Sequence, residues 1–209
     1  MSKKNVIKII LLGESGVGKT CLIQSYLGNQ IKETVSNVNF ESYNKPIIRD
    51  NIIYNIHLWD TAGQERFRSI SKIFIKDSQI VVFVYDITSK NSFKELPFWV
   101  KYAKDLLGKD VVFGLIGNKV DLFDSIDIKK DGIVDIDKAK KYASDIGALF
   151  SEVTAKLDPK GFQKYIGELI NIFLSRRNVT ESEWEVMTLE NFKSNKKKEK
   201  CCLKDYITY

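Results

Sequence analysis

The chain has 209 residues, of which 44% are apolar, and its formal net charge is +6. This apolar share is enough for a sizeable core and argues against a disordered protein. No apolar run approaches the roughly 20 residues that a membrane-spanning helix needs. The basic start, Met1 to Lys4, is not followed by the small-residue cleavage site of a signal peptide, so we expect a cytosolic protein.

Half of the net charge lies near the end of the chain. Glu190 to Tyr209 contain six lysines and three acidic residues, which gives +3. The remainder is only mildly basic, which disfavours a nucleic-acid-binding face and points to a basic tail. The three cysteines have no zinc-like spacing and do not support a disulfide framework.

Apolar runs suitable for strands alternate with amphipathic stretches suitable for helices. The predicted strands are Val6–Leu12, Ile52–Trp59, Ile80–Tyr85, Val111–Ile116 and Leu149–Val153. The predicted helices are Thr20–Leu27, Phe67–Lys76, Ser92–Leu107, Asp135–Ile146 and Phe162–Leu174. Nearly continuous apolar runs such as Val81–Tyr85 are typical of a parallel sheet covered on both faces. We therefore predict a doubly wound, mostly parallel α/β sheet of six strands.

One predicted strand has a different pattern. Polar and apolar residues alternate from Asn55 to Leu58, which favours an edge strand for Ile52–Trp59. Its expected antiparallel partner is Val35–Tyr43, joined to it through a loop around Pro46 and Asp50-Asn51. The sheet would thus have one antiparallel edge pair.

The apolar pattern stops after about Arg177. We predict one domain over residues 1–177 and a flexible tail over residues 178–209, because the tail is polar and mixed in charge. No internal repeat is visible.

The stretch Gly13–Thr20 reads Gly-x-x-x-x-Gly-Lys-Thr between a predicted strand and a predicted helix. Glycines in such a turn let backbone N–H groups close on phosphate oxygens at a helix start. Lys19 would reach the β- and γ-phosphates, and Thr20 would offer its hydroxyl to Mg²⁺. The alternative is a strand-to-helix turn with a surface lysine.

A second polar motif, Trp59–Glu65, follows a predicted strand. Asp60 has the position of a second Mg²⁺ partner, which usually acts through a water molecule. Gly63 would offer its backbone N–H to a γ-phosphate, and Gln64 would orient a water molecule for in-line attack.

A third motif, Asn118-Lys-Val-Asp121, follows the strand Val111–Ile116. The Asp121 carboxylate would accept both N1–H and the 2-amino group of guanine, which adenine does not offer. This disfavours a P-loop kinase or ATPase. Asn118 would bridge the base to the phosphate loop, and the Lys119 stem would lie along the ring. In a fourth motif, Glu152–Lys156, the small Ala155 lets its N–H approach the base oxygen.

Together these motifs resemble those of the small Ras-like GTPases, and specifically of the Rab family, over roughly Val6 to Leu174. Rab-type stretches are Asp60–Ile70 and Tyr85–Phe93. The resemblance implies a P-loop NTPase fold and a Mg²⁺-dependent switch that binds GTP or GDP and hydrolyses GTP slowly. It also implies a role in vesicle traffic as a monomer peripheral to endomembranes, with an exchange factor, a GTPase-activating protein and effectors as partners. The aromatic triad that links the two switch segments of Rabs is similar to Phe40, Trp59 and Phe74.

The resemblance assigns roles residue by residue. The catalytic residues would be Gln64 and Lys19, and the Mg²⁺ ligands Thr20 and Asp60. Nucleotide contacts would come from Ser15, Gly16, Val17, Gly18, Lys19, Thr20, Cys21, Gly63, Asn118, Lys119, Asp121, Thr154, Ala155 and Lys156.

The first switch departs from the family pattern. Rabs carry there a threonine that binds Mg²⁺ and the γ-phosphate, usually followed by Ile-Gly, whereas this chain reads Lys-Glu-Thr-Val-Ser-Asn-Val-Asn-Phe from Lys32 to Phe40. The position of that threonine would be taken by one of Thr34, Val35, Ser36 and Asn37. A second hypothesis follows: a guanine-nucleotide-binding recruitment module with little hydrolysis.

The C-terminal tail also departs from the family pattern. Rabs usually end in a prenylated cysteine pair, and Cys201-Cys202 follows a lysine cluster suited to an anionic membrane surface. Further residues, Leu203 to Tyr209, follow the pair, so it is not a Cys-a-a-X box. Prenylation, palmitoylation and the absence of a lipid remain the alternatives.

Overall fold

The fold is that of a computed structural model, which describes residues 5–29, 41–61, 72–108, 110–123 and 132–177. The strands are β1 (Val6–Leu12), β2 (Glu41–Arg49), β3 (Ile52–Asp60), β4 (Ile80–Asp86), β5 (Val112–Asn118) and β6 (Ala148–Glu152). The helices are α1 (Lys19–Leu27), α2 (Lys72–Ile75), α3 (Lys90–Lys94), α4 (Leu96–Leu106), α5 (Ile136–Ile146) and α6 (Pro159–Arg176).

The strands form one six-stranded sheet in the order β2-β3-β1-β4-β5-β6. All neighbouring pairs are parallel except β2 and β3, which are antiparallel. The predicted α/β fold, with a mostly parallel six-stranded sheet and one antiparallel edge strand, is therefore confirmed. Because parallel strands end at the same edge, the loops after β1, β3, β4, β5 and β6 meet there.

The prediction that Ile52–Trp59 is an edge strand is wrong. β3 pairs with β1 on one side and with β2 on the other, so β2 is the edge. The alternation in β3 reflects its two faces instead. Ile56 and Leu58 are fully buried, whereas Asn55 and His57 are only partly covered.

The connection between β2 and β3 is a tight turn at Asp50-Asn51, with φ angles of 49° and 60°. Positive φ at both central residues suits the right-handed twist of a hairpin. β2 continues through Pro46, which pairs with Asn55, so the predicted loop around this proline is also wrong. An edge strand tolerates a residue without N–H. Of the predicted partner Val35–Tyr43, residues 35–40 lie outside the described ranges.

Helices cover both faces of the sheet. One face packs on α1 and α6 through Leu22, Ile23, Phe162, Ile166 and Leu169. The other packs on α4 and α5 through Leu96, Trp99, Ala139 and Ala143. All of β4 is buried, as its continuous apolar run predicts.

The predicted helix Ser92–Leu107 is two helices, α3 and α4, separated by Glu95. Pro97 lies in the first turn of α4. A proline fits there because the N–H it lacks would have no acceptor within the helix. The proline therefore starts a new helix rather than continuing the first.

The other predicted helices differ only at their ends. The Asp135 carboxylate accepts from the backbone N–H groups of Asp137 and Lys138, so α5 begins one residue later than predicted. α6 begins earlier than predicted because Asp158 caps it through the N–H of Gly161, at 2.9 Å. α2 occupies the end of the predicted helix Phe67–Lys76, of which residues 67–71 lie outside the described ranges.

Within the described residues, no helix is both long enough and apolar enough to span a bilayer. Residues 178–209 are not among them, so the domain boundary after residue 177 stays a prediction.

Candidate functional site

The predicted phosphate loop lies between β1 and α1, at the carboxyl edge of the sheet. A Cβ built on Gly13 would collide with the carbonyl oxygen of Val84, and one built on Gly18 would collide with Nδ2 of Asn118. Gly18 also has a φ of 95°, which other residues rarely adopt. Glycines therefore allow the loop to lie against the ends of β4 and β5.

Lys19, the first residue of α1, is only 3% exposed. Its Nζ donates to the carbonyl oxygens of Gly13 and Glu14, both at 2.9 Å. The ammonium thus lies on the inner side of the phosphate loop. Such a cation at a helix N-terminus is placed to neutralise a polyphosphate.

Glu14 has a second contact that the sequence pattern did not suggest. Nε1 of Trp99, a fully buried residue of α4, donates to Oε1 of Glu14 at 3.2 Å. The indole therefore holds an acidic side chain of the phosphate loop towards α4.

Asp60, the last residue of β3, is 2% exposed. The next residue, Thr61, donates from Oγ1 to the Leu11 carbonyl oxygen at 2.9 Å, which ties the end of β3 to β1. Thr20 lies in the first turn of α1. Hydroxyl and carboxylate oxygens are the ligands that Mg²⁺ prefers. Among the residues that the structure describes, no group of three or more His, Cys, Asp or Glu side chains is placed so that it could hold a metal ion.

Asn118 connects the phosphate loop to the loop after β6. Its Nδ2 donates to the Val17 carbonyl oxygen at 2.8 Å, and its Oδ1 accepts from the Ala155 backbone N–H at 3.2 Å. The side chain is 1% exposed, so both of its polar ends are satisfied inside the protein. Asn118 thus links the phosphate loop to the loop after β6, and its predicted contact with the base stays a prediction.

Asp121 and Thr154 hold the two loops of the predicted base end together. Thr154 Oγ1 donates to Asp121 Oδ1 at 2.6 Å and accepts from the backbone N–H groups of Lys156 and Leu157, each at 3.3 Å. The Asp121 carboxylate therefore has a fixed orientation at the sheet edge. A fixed carboxylate is what bidentate recognition of two adjacent donors requires.

Lys119 forms an ion pair with Asp86, whose Oδ2 lies 2.6 Å from the lysine Nζ. Asp86 is the last residue of β4 and pairs with Asn118 in the sheet. Sequence reasoning named Tyr85–Phe93 only as a family-like stretch and gave Asp86 no role. The feature of the sequence that could have indicated a role for Asp86 is its position at the end of a predicted strand, next to the strand that the Asn118 motif follows.

Burial changes the acidity of two groups at this edge. Burial raises the pKa of the Glu152 carboxyl, although the Lys140 ammonium partly opposes the shift. Burial also raises the pKa of the Tyr85 hydroxyl, and the Glu152 charge adds to this shift. Tyr85 is fully buried and Glu152 is partly buried, and this burial is the physical cause of both shifts.

A cleft of about 430 Å³ opens beside this edge. It is lined by Ser25, Gly28, Asn29, Ala155, Lys156, Pro159 and Gln163. It therefore borders two of the predicted base contacts and the end of α1.

The described residues fit a Mg²⁺-nucleotide. Glycines stand in the phosphate loop where side chains would collide, and Lys19 supplies a buried cation. Thr20 and Asp60 carry oxygen atoms of the kind that Mg²⁺ prefers, and their role as its ligands stays a prediction. Asn118 connects the phosphate loop to the loop that carries Ala155.

Comparison with known proteins decides the family. A sequence model of the Ras family matches residues 8–173. The chain belongs to the Ras family of small GTPases. It is 34% identical to the Ras-related protein Rab-21 of Bos taurus, over 83% of this chain and 76% of that protein. Identity to Rab-21 of Homo sapiens is 33%, over 83% of this chain and 75% of that protein.

The predicted resemblance to the Rab-like small GTPases is therefore confirmed. This Rab-like GTPase is a guanine-nucleotide switch of a family that binds GTP and GDP with Mg²⁺ and hydrolyses GTP. The structure places the described members of the predicted site along one sheet edge. Trp59 and Phe74 of the predicted aromatic triad are in contact, with ring centroids 5.7 Å apart.

Other predicted site residues of this GTPase lie outside the described ranges. These are Gly63 and Gln64, the candidates Thr34 to Asn37, Phe40 and the pair Cys201-Cys202. Their roles stay predictions.

Proposed function

We propose that this Rab-like GTPase is a Mg²⁺-dependent switch that hydrolyses GTP slowly and regulates vesicle and membrane traffic. The observation that carries this proposal is the Asn118 side chain, which bonds to both the phosphate loop and Ala155 and so connects the two predicted ends of one nucleotide site. The phosphate end and the base end thus form one rigid receptor for a single nucleotide.

Each end of the nucleotide has its own partners in the proposal. Lys19 neutralises the β- and γ-phosphates, while backbone groups from Ser15 to Cys21 surround them. Asp121 accepts the two guanine donors, and Thr154 fixes the orientation of its carboxylate. Lys119 lies along the base, and the backbone around Ala155 contacts the base oxygen.

Thr20 and Asp60 would hold Mg²⁺, which supplies positive charge to the phosphate oxygens when it is bound. Gln64 orients the attacking water molecule in this proposal, and Lys19 stabilises the negative charge that develops on the phosphates. The chain has no recognisable arginine that would act in cis. We therefore expect an intrinsic rate on the order of 10⁻⁴ to 10⁻³ per second, which a GTPase-activating protein would increase.

The sequence Lys32–Phe40 supports a second candidate function, because it lacks the Thr-Ile-Gly of related switches. Without that threonine, the protein would bind guanine nucleotide and recruit partners with little hydrolysis. The two functions differ only in turnover, so a kinetic experiment separates them.

Single-turnover hydrolysis of preloaded GTP is the test, performed with Mg²⁺ and with EDTA. The switch predicts slow, Mg²⁺-dependent release of phosphate, and Gln64→Leu should reduce it while leaving GTP binding intact. Loading without phosphate release would favour the recruitment module. ATP binding as tight as GTP binding would contradict the role of Asp121.

Membrane association is the second part of the proposal. It rests on the lysines Lys196 to Lys198 and Lys200, which precede the Cys201-Cys202 pair. One lipid chain anchors a protein only weakly, so lipid and basic cluster would act together. Mass spectrometry of the protein from eukaryotic cells, with vesicle flotation, tests this. The double variant Cys201→Ser/Cys202→Ser should lose lipid and flotation, and Cys21→Ser should keep both.

A further inference from the structure

The ion pair between Lys119 and Asp86 joins the end of β4 to the residue that follows β5, at the predicted base end. Asp86 ends β4 and is paired in the sheet with Asn118, the last residue of β5. The Ile87 backbone N–H also donates to the Asn118 carbonyl oxygen, at 3.1 Å. The ammonium of Lys119 is 2.6 Å from Asp86 Oδ2. The sheet therefore fixes the carboxylate next to the backbone that carries Lys119.

The Asp86 carboxylate is held on its other side as well. Its Oδ1 accepts from the backbone N–H of Thr88 at 2.8 Å and from Thr88 Oγ1 at 2.7 Å. The Asp86 backbone N–H donates to Ser92 Oγ at 3.0 Å. Since both carboxylate oxygens have partners, the group has little freedom to rotate.

Lys119 itself has an unusual backbone. Its φ is 71°, a conformation that non-glycine residues adopt infrequently. The side chains of the pair are 31% and 11% exposed, whereas those of Lys101 and Asp105 on α4 are 77% and 62% exposed. The Lys119 pair is thus much less screened by solvent than an ordinary surface pair.

We propose that Asp86 is a positioning residue that fixes the Lys119 side chain for guanine nucleotide binding. The proposal rests on the function proposed above, in which the Lys119 stem lies along the base. By holding the ammonium at the end of β4, Asp86 restricts the positions that the alkyl stem can take before a nucleotide arrives. Binding then costs less side-chain conformational entropy.

Dissociation of a fluorescent GDP analogue from the full-length protein, followed by stopped flow, tests the proposal. Asp86→Asn should release it roughly fivefold faster than the parent, because an ion pair is replaced by a neutral contact. Asp105→Asn makes the same chemical change in the exposed pair and should leave the rate unchanged. Equal rates for the parent and Asp86→Asn would overturn the proposal.

A double-mutant cycle with Lys119→Met separates positioning from a general structural effect. If Asp86 acts through Lys119, adding Asp86→Asn to Lys119→Met should not accelerate dissociation further. The same acceleration in both backgrounds would show that Asp86 acts elsewhere and would refute the role.

A second variant covers the case in which Asp86→Asn does not fold, which thermal unfolding would reveal. Thr88→Val removes one donor to the Asp86 carboxylate, and we expect dissociation about twofold faster. An unchanged rate in a folded Thr88→Val protein would count against the proposal. Failure of the parent protein to retain GDP is a distinct result, because it would contradict the proposed function itself.

Discussion

The phosphate end and the base end of the site are held by different kinds of contact. At the phosphate end, most contacts involve the main chain. Glycines lie where a side chain would collide, and backbone carbonyl oxygens accept hydrogen bonds from Lys19. At the base end, side chains from separate loops bond to one another, as in Asp121 with Thr154 and Lys119 with Asp86. Asn118 belongs to both ends.

This difference has a physical consequence for mutation. A backbone cradle depends on shape and on one concentrated charge, so a single change there removes much of its function. In a network of side-chain hydrogen bonds, the stabilising free energy is divided among several contacts, each of which contributes about 1 kcal/mol. Substitutions that change the backbone cradle or its buried charge should therefore have larger effects than substitutions that remove one side-chain hydrogen bond.

The largest effect is expected for Lys19→Ala. Loss of the buried ammonium leaves the phosphate charges without their main protein partner, so GDP and GTP affinity should fall by more than about 100-fold. Isothermal titration calorimetry of the nucleotide-free protein would measure the change. Lys141→Ala, at an exposed position on α5, is the matched control and should bind like the parent. Affinity within tenfold of the parent would show that the backbone alone binds the phosphates.

The next effect is expected for Gly18→Ala, because its Cβ would collide with Asn118 Nδ2 and its φ is 95°. We expect a loss of about 2–4 kcal/mol in the free energy of unfolding. Gly28 also has a positive φ, of 80°, but no atom lies within 4 Å of a Cβ built on it. Comparing Gly28→Ala with Gly18→Ala therefore separates the cost of backbone strain from the cost of the collision. Gly28→Ala should cost only about 1 kcal/mol. If urea denaturation gave the same loss of stability for Gly18→Ala and Gly28→Ala, the Asn118 side chain would have moved aside to accommodate the new Cβ.

Strand composition was enough to predict the buried centre of the sheet. β1 is found at the predicted Val6–Leu12, because six of its seven residues are apolar and such a run has few alternatives to burial on both faces. β3 was misassigned as an edge because alternation reports which face is covered and not which strands pair at the sides. The turn at Asp50-Asn51 was not recognised as the sole connection because Pro46 suggested an earlier break.

In the site, too, local sequence indicates some residues, whereas others depend on contacts between distant parts of the chain. Asn118 and Asp121 could be singled out from the sequence because they follow a predicted strand and because a carboxylate can accept from two adjacent guanine donors, and their roles in binding guanine stay predictions. Trp99 could not, because its contact with Glu14 joins residues 85 positions apart and no local pattern links them. Asp86 is an intermediate case: the strand end was predicted, but its partner depends on the register of β4 with β5.

Asn118→Ala tests the residue shared by both ends. It removes bonds to the Val17 carbonyl oxygen and the Ala155 N–H, and we expect about 2–3 kcal/mol of destabilisation with faster GDP release. Urea denaturation and release of a fluorescent GDP analogue measure the two effects. Asn44→Ala, at an exposed position of β2, is the control. Destabilisation without faster release would mean that Asn118 only supports the fold.

The smallest effect is expected for Trp99→Phe, which removes the indole donor to Glu14. Because the smaller ring also leaves a cavity in the core, the single variant does not isolate the hydrogen bond. A double-mutant cycle with Glu14→Ala cancels the cavity term, and we expect a coupling of about 0.5–1.5 kcal/mol in the free energy of unfolding. Zero coupling would mean that the contact stabilises nothing. Coupling in the rate of GDP release across the same cycle would instead show that this one side-chain bond, in a loop otherwise built from backbone, contributes to holding the nucleotide.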